Sequence, residues 1–142
     1  FSTETMATKQ AIVSENAPAP GGCYSPGIAY GNLVFVAGQV AVDPKTREWI
    51  KGDIKVQTER VLLNMKAVLE AGNSSMAHVL KTTCLLANFD DFKAFNEKYS
   101  EFFSQEATGS PPPARATFAV KALPPGCLIE IEAIAAKKPE TK

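Results

Sequence analysis

The sequence predicts an α+β fold: a mixed sheet with two helices on one of its faces. Three observations carry that reading. Runs of period two or of β-prone residues, the mark of half-buried strands, recur at residues 10–14, 28–30, 33–42, 79–86, 114–122 and 128–135. Two segments, 53–71 and 92–103, switch to three- and four-residue spacing of apolar residues. Their order is β, β-hairpin, α, β, α, β-hairpin, which places two helices on one side of a sheet. The strands carry more apolar residues than one pair of helices can hide. Packing between subunits, with the sheets closing into an inner barrel, is the economical cover.

Residues 1–8 show no periodicity and read as a disordered or processed N-terminal segment, leaving 9–138 as a single domain. Two prolines and two glycines make 15–22 a loop. Tyr24 continues that loop as an aromatic hydroxyl among small residues. Gly31-Asn32 between β-rich runs is a strong hairpin signal. Gly38 interrupts the second strand of that hairpin, which suggests a bulge or a close backbone approach. Residues 43–47 form a further turn, with Trp49 and Ile50 on a short edge segment.

Asp53 is a suitable N-cap for the first helix, and Gly72 supplies its stop. Asn88 and the acidic pair after it cap the second helix. There Phe92, Phe95, Tyr99, Phe102 and Phe103 form an aromatic stripe of core character. Asn96 shares the side of Phe92 and Tyr99. An amide there is costly unless hydrogen-bonded, so Asn96 is either a structural staple or a site residue. A loop is expected over 105–113.

The stretch 111–135 reads as two strands joined by a turn at Leu123-Pro-Pro-Gly126. Matching apolar face to apolar face sets a register that puts Arg115 and Thr117 on the same side as Glu130 and Glu132. A guanidinium facing a carboxylate beside a hydroxyl is a polar site.

Composition excludes several classes. Fifteen basic residues balance fifteen acidic ones, and no basic run stands out, so nothing advertises phosphate-backbone binding. No apolar run approaches a membrane span. Cys23, Cys84 and Cys127 are odd in number and lack CxxC spacing, which suits free thiols in a reducing compartment. His78, the single histidine, has no neighbouring ligand candidates and reads as structural.

Pro113-Ala-Arg-Ala-Thr-Phe-Ala-Val-Lys-Ala-Leu-Pro124 with Ile129-Glu-Ile-Glu-Ala133 closely resembles the signature of the RidA (YjgF) family of imine deaminases, earlier described as L-PSP ribonucleases. The resemblance runs from about residue 10 to 136. It includes Gly22-Cys-Tyr-Ser25, Val36-Ala-Gly-Gln39, Gln57-Thr58, Asn64, Lys81-Thr-Thr83 and the segment from Asn88 to Asn96, with details most like its eukaryotic branch. It implies a chorismate-mutase-like subunit and a homotrimer with active sites in the clefts between subunits. The implied reaction is hydrolysis of enamine/imine intermediates, of the 2-aminoacrylate type, to a 2-keto acid and ammonia, with no cofactor and no metal.

By the same resemblance Arg115 is the carboxylate-binding residue and Glu130 the site glutamate, placing or activating water or holding Arg115. Tyr24, Gly38, Asn96, Tyr99 and Thr117 line the substrate cleft. Expected partners are the 2-imino or 2-keto acid and further copies of the chain, with no nucleic acid and no membrane. The expected compartment is the cytoplasm or mitochondrial matrix. Three positions depart from the common pattern: Ala37 where many relatives have serine, Thr117 where many have cysteine, and Cys23 where proline is common. A non-enzymatic metabolite-binding protein is the alternative reading, with a ribonuclease or translation inhibitor behind it.

Overall fold

A computed structural model describes residues 8–140. The N-terminal segment anticipated over 1–8 lies outside the described residues except for Thr8, which is exposed. Six strands form one sheet: β1 (Gln10–Ile12), β2 (Gly27–Tyr30), β3 (Leu33–Gln39), β4 (Val79–Leu86), β5 (Ala114–Ala119) and β6 (Ile129–Ala136). Their order across the sheet is β1-β2-β3-β6-β4-β5. Two helices, α1 (Ile54–Ala71) and α2 (Phe92–Phe103), lie on one face, followed by a one-turn α3 (Gln105–Thr108) inside the stretch expected to be loop. The α+β class with its two-helix layer is as the sequence predicts.

Local chemistry explains the boundaries. The β2–β3 hairpin turns at Gly31, whose φ of 59° is a conformation glycine adopts without steric cost. The Asp53 carboxylate accepts from Val56 N at 3.0 Å and opens α1. Gly72 ends α1 by a different route from the one expected. Its φ is −92°, so it is not a left-handed cap, and Asn73 at φ 59° takes that conformation instead. Gly72 is glycine because Ile12 and Val34 of the sheet pack against its Cα. Asn88 caps a short turn over Phe89–Asp91, accepting from Asp90 N at 2.9 Å, and α2 follows directly.

The core lies between the helices and the sheet. Val61, Leu62, Met65, Val68 and Leu69 of α1 and Phe95, Tyr99 and Phe103 of α2 meet Val34, Val36, Leu86, Ile129 and Ile131.

The last two strands correct the predicted register. They are not a hairpin, because β4 lies between them: β5 pairs with β4 in parallel, while β6 pairs with β4 and β3 antiparallel. The turn at Pro124–Cys127 exists, with Cys127 N donating to Pro124 O and Gly126 at φ 85°. It serves a loop that arcs over the end of β4. There Val120 N donates to Leu86 O, and Ala87 N donates to Leu128 O. Cross-strand partners share a face, so Arg115 and Thr117 point to the helix side with Thr82 and Cys84. Glu130 and Glu132, paired with Leu85 and Thr83, point to the opposite face.

The physical reason is a parallel pairing, which requires a crossover helix, here α2. The polar side of β5 is laid under that helix. Its apolar side, Ala116 and Phe118, is left on the open face.

Away from Glu130 and Glu132, that open face carries large apolar side chains. Tyr30, Leu33, Phe35 and Phe118 stand on it, each between 37% and 51% exposed. No helix of the described residues is long and apolar enough to cross a membrane.

Candidate active site

The site residues anticipated from the sequence fall into two separate groups. The first is built on β5 and α2. The Arg115 guanidinium lies over the aromatic stripe, 4.7 Å from the Tyr99 ring centroid and 5.7 Å from those of Phe92 and Phe95. Its Nη1 donates to Asn96 Oδ1 at 2.8 Å. Cation–π attraction and this bond together aim the cation. Asn96 is thus a bonded residue, and its partner is Arg115.

Beneath them the Tyr99 hydroxyl and Thr82 Oγ1 share a 2.7 Å hydrogen bond. Burial pushes the Tyr99 pKa up to about 12, so the phenol stays neutral. Burial likewise raises Cys84 to about 11, leaving an unreactive thiol. Thr117, two residues along β5, holds its hydroxyl in an enclosed position with no hydrogen-bond partner. A cavity of about 400 Å³ opens beside Arg115, lined also by Asn96, Tyr99, Ser100 and Pro113.

The second group sits across the sheet. Glu130 on β6 faces Gly38, where β3 and β6 shift register between Val36 and Gln39. Both explanations offered for a glycine within that strand therefore apply. There is a bulge, and a Cβ on Gly38 would collide with the Glu130 carboxylate. Burial, then the neighbouring Glu132 charge, raises the Glu130 pKa above the ordinary 4.5. Tyr24 folds back so that its hydroxyl accepts from Gly21 N at 3.1 Å. Tyr24, Gly38 and Glu130 line a cavity of about 520 Å³ together with Val42, Trp49 and Pro124.

Arg115 and Glu130, expected face to face, thus lie on opposite faces of the sheet and in different cavities of one chain. The paired polar site read from a β5–β6 hairpin does not exist within the subunit.

Two side chains of α1 position the second cavity. Asn64 Nδ2 donates to Val40 O at 3.1 Å and Val42 O at 2.9 Å, while its Oδ1 accepts from Arg60 Nε. Gln57 Nε2 donates to Gly126 O at 3.0 Å, and its Oε1 accepts from Leu128 N at 2.8 Å. Both were visible as amides in the apolar stripe of α1, the signal that singled out Asn96. Trp49 carried no such signal.

His78 is engaged with Ser75 Oγ at 2.6 Å, an ordinary local contact. Among the described residues no group of three or more His, Cys, Asp or Glu side chains converges.

Fold and site together define a class: an α+β subunit that presents an oriented arginine on one side of its sheet and a carboxylate-bearing apolar cavity on the other. The sequence matches the endoribonuclease L-PSP family over residues 14–137. It is 50% identical over 130 residues to a RutC family protein of Pyrococcus horikoshii, covering 92% of this chain and 99% of that one. It is 39% identical over 129 residues to a 2-iminobutanoate/2-iminopropanoate deaminase of Dermatophagoides farinae, covering 91% and 97%.

The crystal structure of yeast YEO7 superposes with a TM-score of 0.86 at 39% identity, over 92% of this chain and all of that one. The structure of E. coli TdcF with bound serine gives a TM-score of 0.84 at 32% identity, over 91% and 99%. The chain belongs to the endoribonuclease L-PSP (RidA) family, and its fold is the chorismate-mutase-like α+β fold of those structures.

Proposed function

We propose that this protein is a hydrolytic deaminase of 2-imino acids, with active sites completed between the subunits of a homotrimer. The observation that carries the reading is the state of Arg115. A permanently charged guanidinium is held by Asn96 and the Tyr99 ring, and no ion pair satisfies it among the described residues. Such a fork suits a carboxylate, which it can bind through two parallel hydrogen bonds. Serine, present in the E. coli TdcF structure, carries that group. The Dermatophagoides relative bears the deaminase name.

Separation of the two groups on one chain favours an intersubunit site. Arg115, on the β5 edge of one copy, would meet Glu130, Tyr24 and Gly38 on the open sheet face of the next. There Arg115 fixes the imino acid carboxylate, and Glu130 orients a water against C2. A C–O bond forms as the C=N π electrons move to nitrogen. Glu130 takes a proton from the water and passes it to nitrogen, giving a carbinolamine. It then takes the proton of the new hydroxyl and passes it to the amine as the C=O bond forms and the C–N bond breaks, releasing ammonia and the 2-keto acid. An imine carbon is already electrophilic, so positioning and electrostatics suffice for this step. The ribonuclease sense of the family's description draws no support from charge, since fifteen basic residues are offset by fifteen acidic ones.

The test is a dehydratase that generates 2-aminoacrylate in place, with keto acid release followed in the presence of this protein. Release should be accelerated, and Arg115→Ala should lower kcat/KM by about 10²- to 10³-fold, the scale of losing one preorganised charge-stabilising group. No acceleration by folded protein, with saturable keto acid binding, would instead establish the metabolite-binding alternative.

A further inference from the structure

We infer that the site prefers 2-imino acids with large apolar side chains, branched aliphatic or aromatic, and that Trp49 is the residue that selects them. This rests on the deaminase reading above and names its substrate class. Beside Glu130 a single subunit presents an open trough of about 520 Å³, more than an imine with a methyl side chain would fill. Beyond Glu130 and the Gly38 bulge its walls are apolar: Val40, Val42, Trp49, Pro124 and the Tyr24 ring. Tyr24 turns its hydroxyl back to accept from Gly21 N at one end of the trough, and its ring lies along the wall. A substrate whose imine carbon lies at Glu130 directs its side chain into this trough.

The trough is held open from behind. Trp49 pairs with Val42 in an isolated antiparallel bridge, and Ile50 N donates to Ala41 O at 2.7 Å. The turn between them is locked by the Asp43 carboxylate, which accepts from Lys45 N at 2.8 Å and Thr46 N at 3.0 Å. Asn64 fixes the carbonyls of Val40 and Val42 from α1. Trp49 is 49% exposed although its backbone is paired with that of Val42, so an indole stands at the cavity wall without being consumed by the core. A preformed apolar wall adds transition-state binding for each carbon buried against it, and a single methylene in such a pocket changes kcat/KM by about 10-fold or more.

The experiment uses an L-amino acid oxidase to make imino acids in place from alanine, 2-aminobutyrate, leucine and phenylalanine. Semicarbazide traps the imine that escapes hydrolysis. Expected is a kcat/KM at least about tenfold higher for the leucine- and phenylalanine-derived imines than for the alanine-derived one. Trp49→Ala should remove most of that gain, raising KM for the leucine- and phenylalanine-derived imines by about tenfold more than for the alanine-derived one. Trp49→Phe, which keeps an aromatic wall, should retain it. A flat or falling profile, with alanine-derived imine still hydrolysed, overturns the inference and leaves the deaminase reading standing. Absence of hydrolysis for every imine overturns both.

Discussion

Glu130 is the residue whose environment makes the sharpest demand. Burial and the Glu132 charge hold its pKa above 4.5, so the folded chain keeps a proton that the unfolded chain has already released. Between 4.5 and the higher folded value the folded state binds more protons, and stability therefore falls as pH rises through that window. In the proposed mechanism the ionised form of Glu130 takes a proton from water, so kcat/KM should rise across the same window. Glu130→Gln is expected to gain stability at neutral pH while losing turnover at every pH. Urea midpoints and a pH–rate profile of both proteins check this. A glutamine variant less stable than the parent at pH 7 contradicts the burial argument.

Among the elements, α1 does more than cover the sheet. Gln57, Val61, Asn64 and Val68 recur at four, three and four residues, so its two amides share the stripe that packs inward. Each amide ties a loop of the second cavity: Gln57 the one leading into β6, Asn64 the one after β3. Asn64→Ala would leave the Val40 and Val42 carbonyls short of a buried donor. The expected loss is about 2–3 kcal/mol in unfolding free energy, the scale of stranding buried polar groups. Denaturant titration measures it, and a loss under about 0.5 kcal/mol, ordinary for a surface position, would refute the tie.

β4 decides the rest of the internal geometry. By separating β5 from β6 it sends Arg115 to one face and Glu130 to the other.

At the scale of the whole molecule, the proposed homotrimer would both cover the open sheet face and complete the divided site. Phe35 stands on that face between Ile28 and Ile134, directed away from the helices. A charge there would have no partner on burial. Sedimentation of the native protein should give three times the chain mass. Phe35→Glu should shift it to the monomer and abolish turnover, although neither group of site residues is touched. A monomeric variant of unchanged activity would place the complete site within one chain.

Local patterning determined much of this protein. The Gly31 turn, the Asp53 cap and the aromatic stripe of α2 are set by neighbours a few residues apart, and all were legible. The resemblance named Arg115, Glu130, Tyr24, Gly38, Asn96, Tyr99 and Thr117 as one cleft; their division into a group around Arg115 and a group around Glu130 came from the fold. What only the tertiary structure decided was which strands become neighbours. Sequence adjacency and a Pro-Pro-Gly turn favoured pairing β5 with β6, yet strand order is settled by long-range burial. Placing β4 between them lets α2 cover β5 and lets β6 occupy the centre of the sheet. That exchange reverses the face of Glu130 relative to Arg115, because side chains alternate along a strand and cross-strand partners share a face.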